Sequence, residues 1–551
     1  MLDGFTPWPD ELAQTYRTAG FWEDLTLWDM VARTVARLPD KVALVAGEQR
    51  QTYAEMDRLS AHLGAALLQQ GIRPLDRVVL QLPNTPEFVH YYLALVRIGA
   101  IPVLALRAHR QTEVRHFIRA SCAVAYVVPD VAHHFDYRPM AALMQQEFAH
   151  LHTVIVVGQA MAGQTAHDAL LGTVDDEAIP ALLATARFDA SDVATMLLSG
   201  GTTSLSKLIP RTHRDYVLNA RLCGRAAGFN EHTVFMAILP LGHNYNLASP
   251  GILGVFDAGG TVVLAPSTDT TEIFRLVEAE KVSVIAAVVP LISAWLGSTE
   301  PDRFDVSSLQ VVQNGGARLA PELRQRLMSR FHCKPQEIYG TAEGLINMTR
   351  LDDPEDLLLH SSGSPVCEAD EIKVVDDNGH EVPDGETGEL LTRGPYTIRG
   401  YYLAPEKNKE AFTEDGFYRM GDIVRKQGRN VYTEGRRKDL INRGGEKISC
   451  EEVENFIHRH PAVKSACLVA MPDPVFGEKA CAFVILREGA NLTFEELIAF
   501  LRGLQIASYK LPERLEVVTQ FPLSPVGKIL KRQLRDEIAA TIEQEAAHTA
   551  S

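Results

Sequence analysis

The sequence predicts an α/β protein: a large N-terminal domain of α/β sheets, a β-rich subdomain, and a small α+β domain at the C-terminal end. Three features carry this expectation. Through the first two-thirds, short apolar runs alternate with amphipathic stretches. The runs are Arg77-Val-Val-Leu-Gln-Leu82, Ala123-Val-Ala-Tyr-Val-Val128, Thr153-Val-Ile-Val-Val157, Thr261-Val-Val-Leu264 and Val282-Ser-Val-Ile-Ala-Ala-Val-Val289. From about residue 365 to 433 the strands shorten and Gly, Pro and Asp turns multiply. After Arg436 the chain becomes densely charged and then resumes a compact α/β pattern.

Each element follows from its residues. Apolar runs without alternation are expected to be strands buried on both faces. With helical stretches such as 86–98 and 272–281 between them, they make parallel sheets covered by helices. The turns Asp376-Asp-Asn-Gly379, Asp384-Gly385 and Asp415-Gly416 punctuate a β-rich unit over 365–433. Beyond it a helix is expected at 451–459, strands at 466–470 and 480–486, and a helix at 493–503. The Ala- and Glu-rich last fifteen or so residues read as a surface helix. The domain boundary falls near Lys438, giving units 1–437 and 438–551.

Composition narrows the function. Of 551 residues, 46% are hydrophobic and 23% charged, which is ordinary for globular proteins. Fifty-four Lys and Arg against seventy Asp and Glu leave a net charge of −16, whose field repels nucleic acid and anionic membrane surfaces. The seven cysteines are scattered without metal spacing and read as reduced thiols. No apolar signal region opens the chain. The longest apolar stretch, 286–297, is interrupted by Pro290 and Ser293 and is too short for a membrane span. A cytoplasmic enzyme is the expectation.

The most informative segment is Met196-Leu-Leu-Ser-Gly-Gly-Thr-Thr-Ser-Leu-Ser-Lys207. Here an apolar run ends in Ser199, Gly200, Gly201, Thr202, Thr203 and Ser204, with Lys207 three residues on. Glycines permit close backbone approach, and hydroxyls with exposed N–H groups suit phosphate oxygens. The spacing is not that of a Walker loop, so a P-loop NTPase is disfavoured. A polar hairpin turn is the competing reading of the loop alone.

Further motifs follow in order: Tyr339-Gly-Thr-Ala-Glu343, Tyr418-Arg-Met-Gly-Asp422, Glu434-Gly-Arg436, Asn442-Arg-Gly-Gly-Glu-Lys447 and Pro525-Val-Gly-Lys528. Together with the loop they resemble the adenylate-forming superfamily over nearly the whole chain, and within it the stand-alone aryl-acid AMP ligases of siderophore assembly. Lys207-Leu-Ile-Pro-Arg-Thr-His213, His243-Asn-Tyr245, Ser249-Pro-Gly251 and Thr349-Arg-Leu-Asp352 carry the narrower likeness. Ser204 and Met420 depart from the usual Gly and Thr, without removing a group the reaction needs.

The resemblance implies a fold in which the C-terminal domain is a mobile lid, and it implies roles. ATP would be held by Ser199, Gly200, Gly201, Thr202, Thr203 and Lys207, by the adenine-packing turn Gly315, Gly316, Ala317 and Arg318, and by Tyr339, Gly340 and Thr341. Asp422 would accept from the ribose hydroxyls, with Arg436 nearby. Glu343 would hold Mg²⁺, a hard ion suited to carboxylate and phosphate oxygens. Lys528 would be the catalytic lysine carried by the lid, and Lys438 the hinge. His243 would shape the carboxylate end of the substrate.

The same resemblance places Asn244, Tyr245, Ser249, Ala286, Gly315, Ile338 and Ile346 around a small aryl acid. Adenylation domains for α-amino acids have Asp at the position matching Asn244, and a neutral amide cannot pair with an ammonium. It can hydrogen-bond a phenolic hydroxyl ortho to a carboxylate. The Tyr245 and Ser249 pair resembles the dihydroxybenzoate ligases more than the salicylate ones, so the resemblance implies 2,3-dihydroxybenzoate, with salicylate as the alternative. The implied acceptor is the phosphopantetheine thiol of an aryl carrier protein, or else free coenzyme A.

Overall fold

The computed structural model describes residues 1–199, 206–436, 439–443, 446–473, 476–504, 506, 508–524 and 527–549. The first large sheet has nine strands. Its centre is parallel: Lys334–Thr341, Val311–Gly315, Val284–Ala287, Val234–Ala237, Thr261–Leu264 and Val42–Ala46 lie side by side in that order. Antiparallel strands close both edges, Gln49–Thr52 on one side and Gly344–Met348 with Ser364–Pro365 on the other. The second sheet has seven strands. Ile101–Leu104, Arg77–Leu80, Ala125–Pro129 and Thr153–Val157 are its parallel core, and Val193–Leu198 joins them before turning back as Leu208–Thr212.

The apolar runs fold as strands because helices cover both of their faces. Ile101–Leu104 and Ala125–Pro129 are buried at every position, the condition under which alternation disappears from the sequence. The expected strand over 282–289 is corrected: only Val284–Ala287 is strand, and the helix Val289–Gly297 begins at once. Pro290 explains the switch, since its fixed φ suits the first helical turn and it offers no N–H to a ladder.

A four-stranded antiparallel sheet follows: Glu371–Val375, Thr387–Arg393, Tyr418–Gln427 and Asn430–Arg436. The last sheet, five-stranded, is built around the long hairpin Val463–Asp473 and Gly477–Leu486. In the first of these strands Ala466 and Leu468 join a core with Val453, Ile457, Leu497 and Leu501. Cys467, Val469 and Met471 face the opposite way, toward Leu534 and Ile538. The period of two thus sends the helices Cys450–His458 and Phe494–Gly503 to one face and Lys531–Thr549 to the other. All seven cysteines are free and all but Cys122 are buried. Among the described residues, no helix is long and apolar enough to cross a membrane.

Candidate active site

The carboxyl ends of neighbouring parallel strands converge on one cleft, the place where open α/β sheets bind ligands. Val234–Ala237 leads to His243 and the helix Asn244–Ala248, Val284–Ala287 carries Ala286, Val311–Gly315 ends at Gly315, and Lys334–Thr341 carries Ile338 through Thr341. The register sets Ile338 opposite Gly315 and Ala286 opposite Ala237.

Gly315 is a glycine for a steric reason. A Cβ there would lie 2.9 Å from Cε1 and 3.0 Å from Cζ of Tyr245, closer than carbon atoms tolerate, so only glycine lets the ring approach the strand end. The Tyr245 hydroxyl donates to the Ala287 carbonyl at 3.4 Å. Ala286, Ile338 and Ile346 are buried and apolar. The Ile346 side chain packs onto Gly340, where an added Cβ would meet its Cδ1 at 2.8 Å. Asn244 is buried with its amide engaged: Oδ1 accepts from the Tyr216 hydroxyl at 2.7 Å, and Nδ2 donates to Ser249 Oγ at 3.1 Å. Ser249 is buried beside it and also accepts from Asn219 Nδ2 at 3.1 Å.

His243 caps the helix Asn244–Ala248. Its Nδ1 accepts the Tyr245 backbone N–H at 3.3 Å, which leaves Nε2 carrying the proton of the neutral ring. Burial, assisted by the positive field of Lys528, pushes the imidazole down to about 4. The ring is therefore neutral at physiological pH, with Nε2–H as its donor. Lys528 reaches the same cleft across the domain interface: its Cε lies 3.2 Å from where a Cβ on Gly316 would stand, and Gly316 has φ +85°. Beside it, Gly527 packs against Val288, with 3.2 Å between the position of an added Cβ and Cγ2.

A second group of charges gathers around Tyr401. Glu343 is buried, and its Oε1 accepts from the Tyr401 hydroxyl at 2.8 Å. Lys207 Nζ sits 4.2 Å from the Tyr401 ring centroid. Burial lowers the Lys207 ammonium from its ordinary value, and the Glu343 carboxylate opposes that shift. Ser199 closes the base of the glycine loop, its Oγ accepting from the Lys207 backbone N–H at 2.8 Å. Gly200, Gly201, Thr202, Thr203 and Ser204 lie outside the described residues, as does Lys438.

Asp422 is buried and accepts from the Tyr339 hydroxyl at 2.8 Å. The Arg436 backbone lies directly opposite in the antiparallel register, and the Arg436 side chain is outside the described set. Thr341 Oγ donates to the Gly344 carbonyl at 3.3 Å, and the Ala317 carbonyl accepts from Asn314 Nδ2 at 2.7 Å. Arg318 donates to the His360 carbonyl at 2.9 Å and lies 3.6 Å from Glu451 of the helix Cys450–His458.

A carboxylate held by one hydroxyl and shielded from water suits a hard divalent cation. Among the described residues, no group of three or more His, Cys, Asp or Glu is placed to hold a metal ion unaided. An ion at Glu343 would thus take most of its oxygens from a phosphate ligand. That is how Mg²⁺ binds with nucleotides, so the residues fit it.

Sequence reasoning missed Tyr401, Tyr216 and Asn219, and it gave no role to Arg211, which lies in the quoted stretch 207–213. A signal existed for three of them. Asp215 and Asn219 are polar residues four apart on a helix buried along most of its length, with Tyr216 between them, and Arg211 lies four before Asp215. Tyr401 lies outside every motif and enters only through the fold.

Comparison with known proteins supplies the context. The family model for AMP-binding enzymes matches residues 31–402, and that for the AMP-binding enzyme C-terminal domain matches residues 452–528. The chain is 47% identical to the 2,3-dihydroxybenzoate-AMP ligase of Bacillus subtilis over 98% of both chains. It is 43% identical to a Streptomyces salicylyl-CoA synthase / salicylate adenylyltransferase over 97% of this chain and 98% of that one. Among solved structures, apo MbtA of Mycobacterium smegmatis superposes with a TM-score of 0.73 at 37% identity, covering 97% of this chain and 99% of that one.

Proposed function

The chain belongs to the family of AMP-binding enzymes, and from that premise we propose that it joins an aryl carboxylic acid to AMP with release of pyrophosphate. The acid is 2,3-dihydroxybenzoate, and the aryl group then passes to the phosphopantetheine thiol of an aryl carrier protein in siderophore assembly. The observation that carries the choice of acid is the buried neutral amide of Asn244 beside Ser249, at the position where amino-acid-activating relatives need a carboxylate. The name of the Bacillus subtilis relative supports the same acid.

In this reading the ring of the acid packs between Tyr245 and Ile346, and its ortho hydroxyl meets Asn244 and Ser249. The carboxylate is held by His243 Nε2–H and by the Lys528 ammonium. A carboxylate oxygen then forms a bond to the α-phosphorus as the bond to pyrophosphate breaks. Two anions must meet, so the work is alignment and neutralisation. Lys528 does both as a mobile point charge, and Lys207 adds charge from the far side. Asp422 accepts from the ribose hydroxyls, with Arg436 near the ribose and phosphate. The loop 199–203 and the turn 315–318, with Tyr339, Gly340 and Thr341, hold the nucleotide. Mg²⁺ bound at Glu343 would supply further charge neutralisation on the phosphate oxygens. Lys438 serves as the hinge between units 1–437 and 438–551, whose rotation exchanges the adenylation arrangement for the thiol-transfer one.

The test of the second half-reaction is a thioester assay with holo-carrier protein against free coenzyme A. Faster transfer to the carrier is expected. Faster transfer to coenzyme A would make the chain an aryl-CoA ligase, an outcome kept in view by the name of the Streptomyces relative.

A further inference from the structure

Behind the acid pocket lies a buried polar network that none of these roles uses. Arg211 and Asp215, both fully buried, pair at 2.7 Å. Arg211 also donates to the Ala342 carbonyl at 3.0 Å, one residue before Glu343, and reaches Asn219 Oδ1 at 3.5 Å. Its guanidinium stands 4.7 Å from the Tyr216 ring centroid.

The chemistry of the end groups fixes the direction of every bond. A guanidinium only donates and a backbone carbonyl only accepts. Asn219 must therefore turn Oδ1 to Arg211 and Nδ2 to the Ala248 carbonyl, 2.7 Å away, and to Ser249 Oγ, 3.1 Å away. Ser249 Oγ consequently accepts, and it accepts again from Asn244 Nδ2 at 3.1 Å. Asn244 Oδ1 is engaged by the Tyr216 hydroxyl at 2.7 Å, which burial keeps protonated. Asn244 is left with one amide N–H uncommitted, while its Oδ1 is turned to the Tyr216 hydroxyl and Ser249 Oγ already accepts twice.

We propose that Tyr216 and Asn219 are specificity-determining positioning residues, locking Asn244 and Ser249 so that the pocket wall donates to the ortho substituent of the aryl acid. The inference rests on the functional reading above and deepens it. An ortho hydroxyl suits such a wall, because its lone pairs accept while its proton turns to the neighbouring carboxylate. An ortho amino group suits it less, because its lone pair is delocalised into the ring and its N–H groups meet acceptors that Tyr216, Asn219 and Asn244 already engage. The wall should favour salicylate-type acids over anthranilate-type ones.

The experiment measures kcat/KM for 2,3-dihydroxybenzoate, salicylate, benzoate and anthranilate in wild type, Tyr216→Phe and Asn219→Ser, with the KM for ATP alongside. Wild-type turnover of any hydroxybenzoate tests the functional reading by itself, and the selectivity ratios test this inference. Wild type should prefer salicylate to anthranilate by at least about 100-fold. Tyr216→Phe frees the Asn244 amide to rotate. The salicylate-to-anthranilate and salicylate-to-benzoate ratios should each then fall by about tenfold, through KM for the acid, with KM for ATP unmoved. Asn219→Ser should lower the same ratios. A merely structural role would depress all acids together. Ratios unchanged in both variants, or a wild type that takes anthranilate as readily as salicylate, would overturn the proposal.

Discussion

Substituting Gly315 by alanine tests the architecture of the acid pocket with a single methyl group. The added Cβ would meet Tyr245 at 2.9 Å from Cε1, 3.0 Å from Cζ and 3.2 Å from Cδ1. Carbon atoms rest about 3.5–4.0 Å apart, so the ring must retreat by roughly 0.5–1 Å. It has little room to do so, being 8% exposed with its hydroxyl on the Ala287 carbonyl. Over-packing of this kind costs about 1–3 kcal/mol. If that cost falls on the bound acid, kcat/KM drops roughly 5- to 150-fold. The assay is pyrophosphate exchange at saturating ATP across acid concentrations, with the thermal midpoint as a measure of folding. Gly297→Ala is the control, since a Cβ there meets nothing within 4 Å. Unchanged kcat/KM for the acid in a folded Gly315→Ala protein would refute the contact between Tyr245 and the pocket floor, and a loss confined to the KM for ATP would leave Gly315 to the nucleotide turn alone.

Three further outcomes follow. Lys528→Ala should cut adenylate formation about 100- to 1000-fold while leaving thiol transfer from preformed aryl-adenylate largely intact; equal losses in both half-reactions, measured separately, would remove the lysine from its role in the first step. Tyr401→Phe, which removes the hydroxyl held by Glu343 Oε1, should weaken the apparent affinity for Mg²⁺ about tenfold or more, read from a metal titration of the exchange rate; an unchanged titration curve would count against Glu343 as the ligand. Acid should destabilise the fold through its buried histidines. His213, fully buried with Nδ1 accepting from the Leu27 backbone N–H, is pushed from 6.5 down to about 4. The unfolded chain takes up this proton first as pH falls below 6.5, so full stability is present above that value and is lost toward pH 4. The interval from 6.5 down to about 4 is worth about 3 kcal/mol. Urea midpoints of His213→Gln and wild type should converge as pH is lowered through this window, and a constant difference between them would contradict the assignment.

How far the sequence revealed the fold depended on how uniform each environment was. Thr153–Val157 and Thr261–Leu264 are strands with the expected ends, because an unbroken β-branched run has one stable home, a sheet covered on both faces. The edge strand Gln49–Thr52 is polar and half exposed, so no apolar pattern announced it. The run 282–289 misled because burial continued across the change from strand to helix, and only Pro290 marked it. The site divides in the same way. Glu343, Asp422 and Lys528 stood in ordered motifs. Arg211 lay in the quoted stretch 207–213, but the lock it forms with Tyr216 and Asn219 was not legible, because it depends on a helix packing behind the pocket and on the Ala342 carbonyl arriving from a distant turn. Tyr401 reaches Glu343 across 58 positions of sequence, a separation that no local pattern spans.

The central claim, adenylation of an ortho-hydroxylated aryl acid read by Asn244 and Ser249, is tested most directly by kcat/KM for pyrophosphate exchange with 2,3-dihydroxybenzoate, salicylate and benzoate. The expected order is 2,3-dihydroxybenzoate first, salicylate next, and benzoate lower by about tenfold or more, since each unmade hydrogen bond to a buried polar group costs about 1–3 kcal/mol. Benzoate turning over as efficiently as 2,3-dihydroxybenzoate would contradict it.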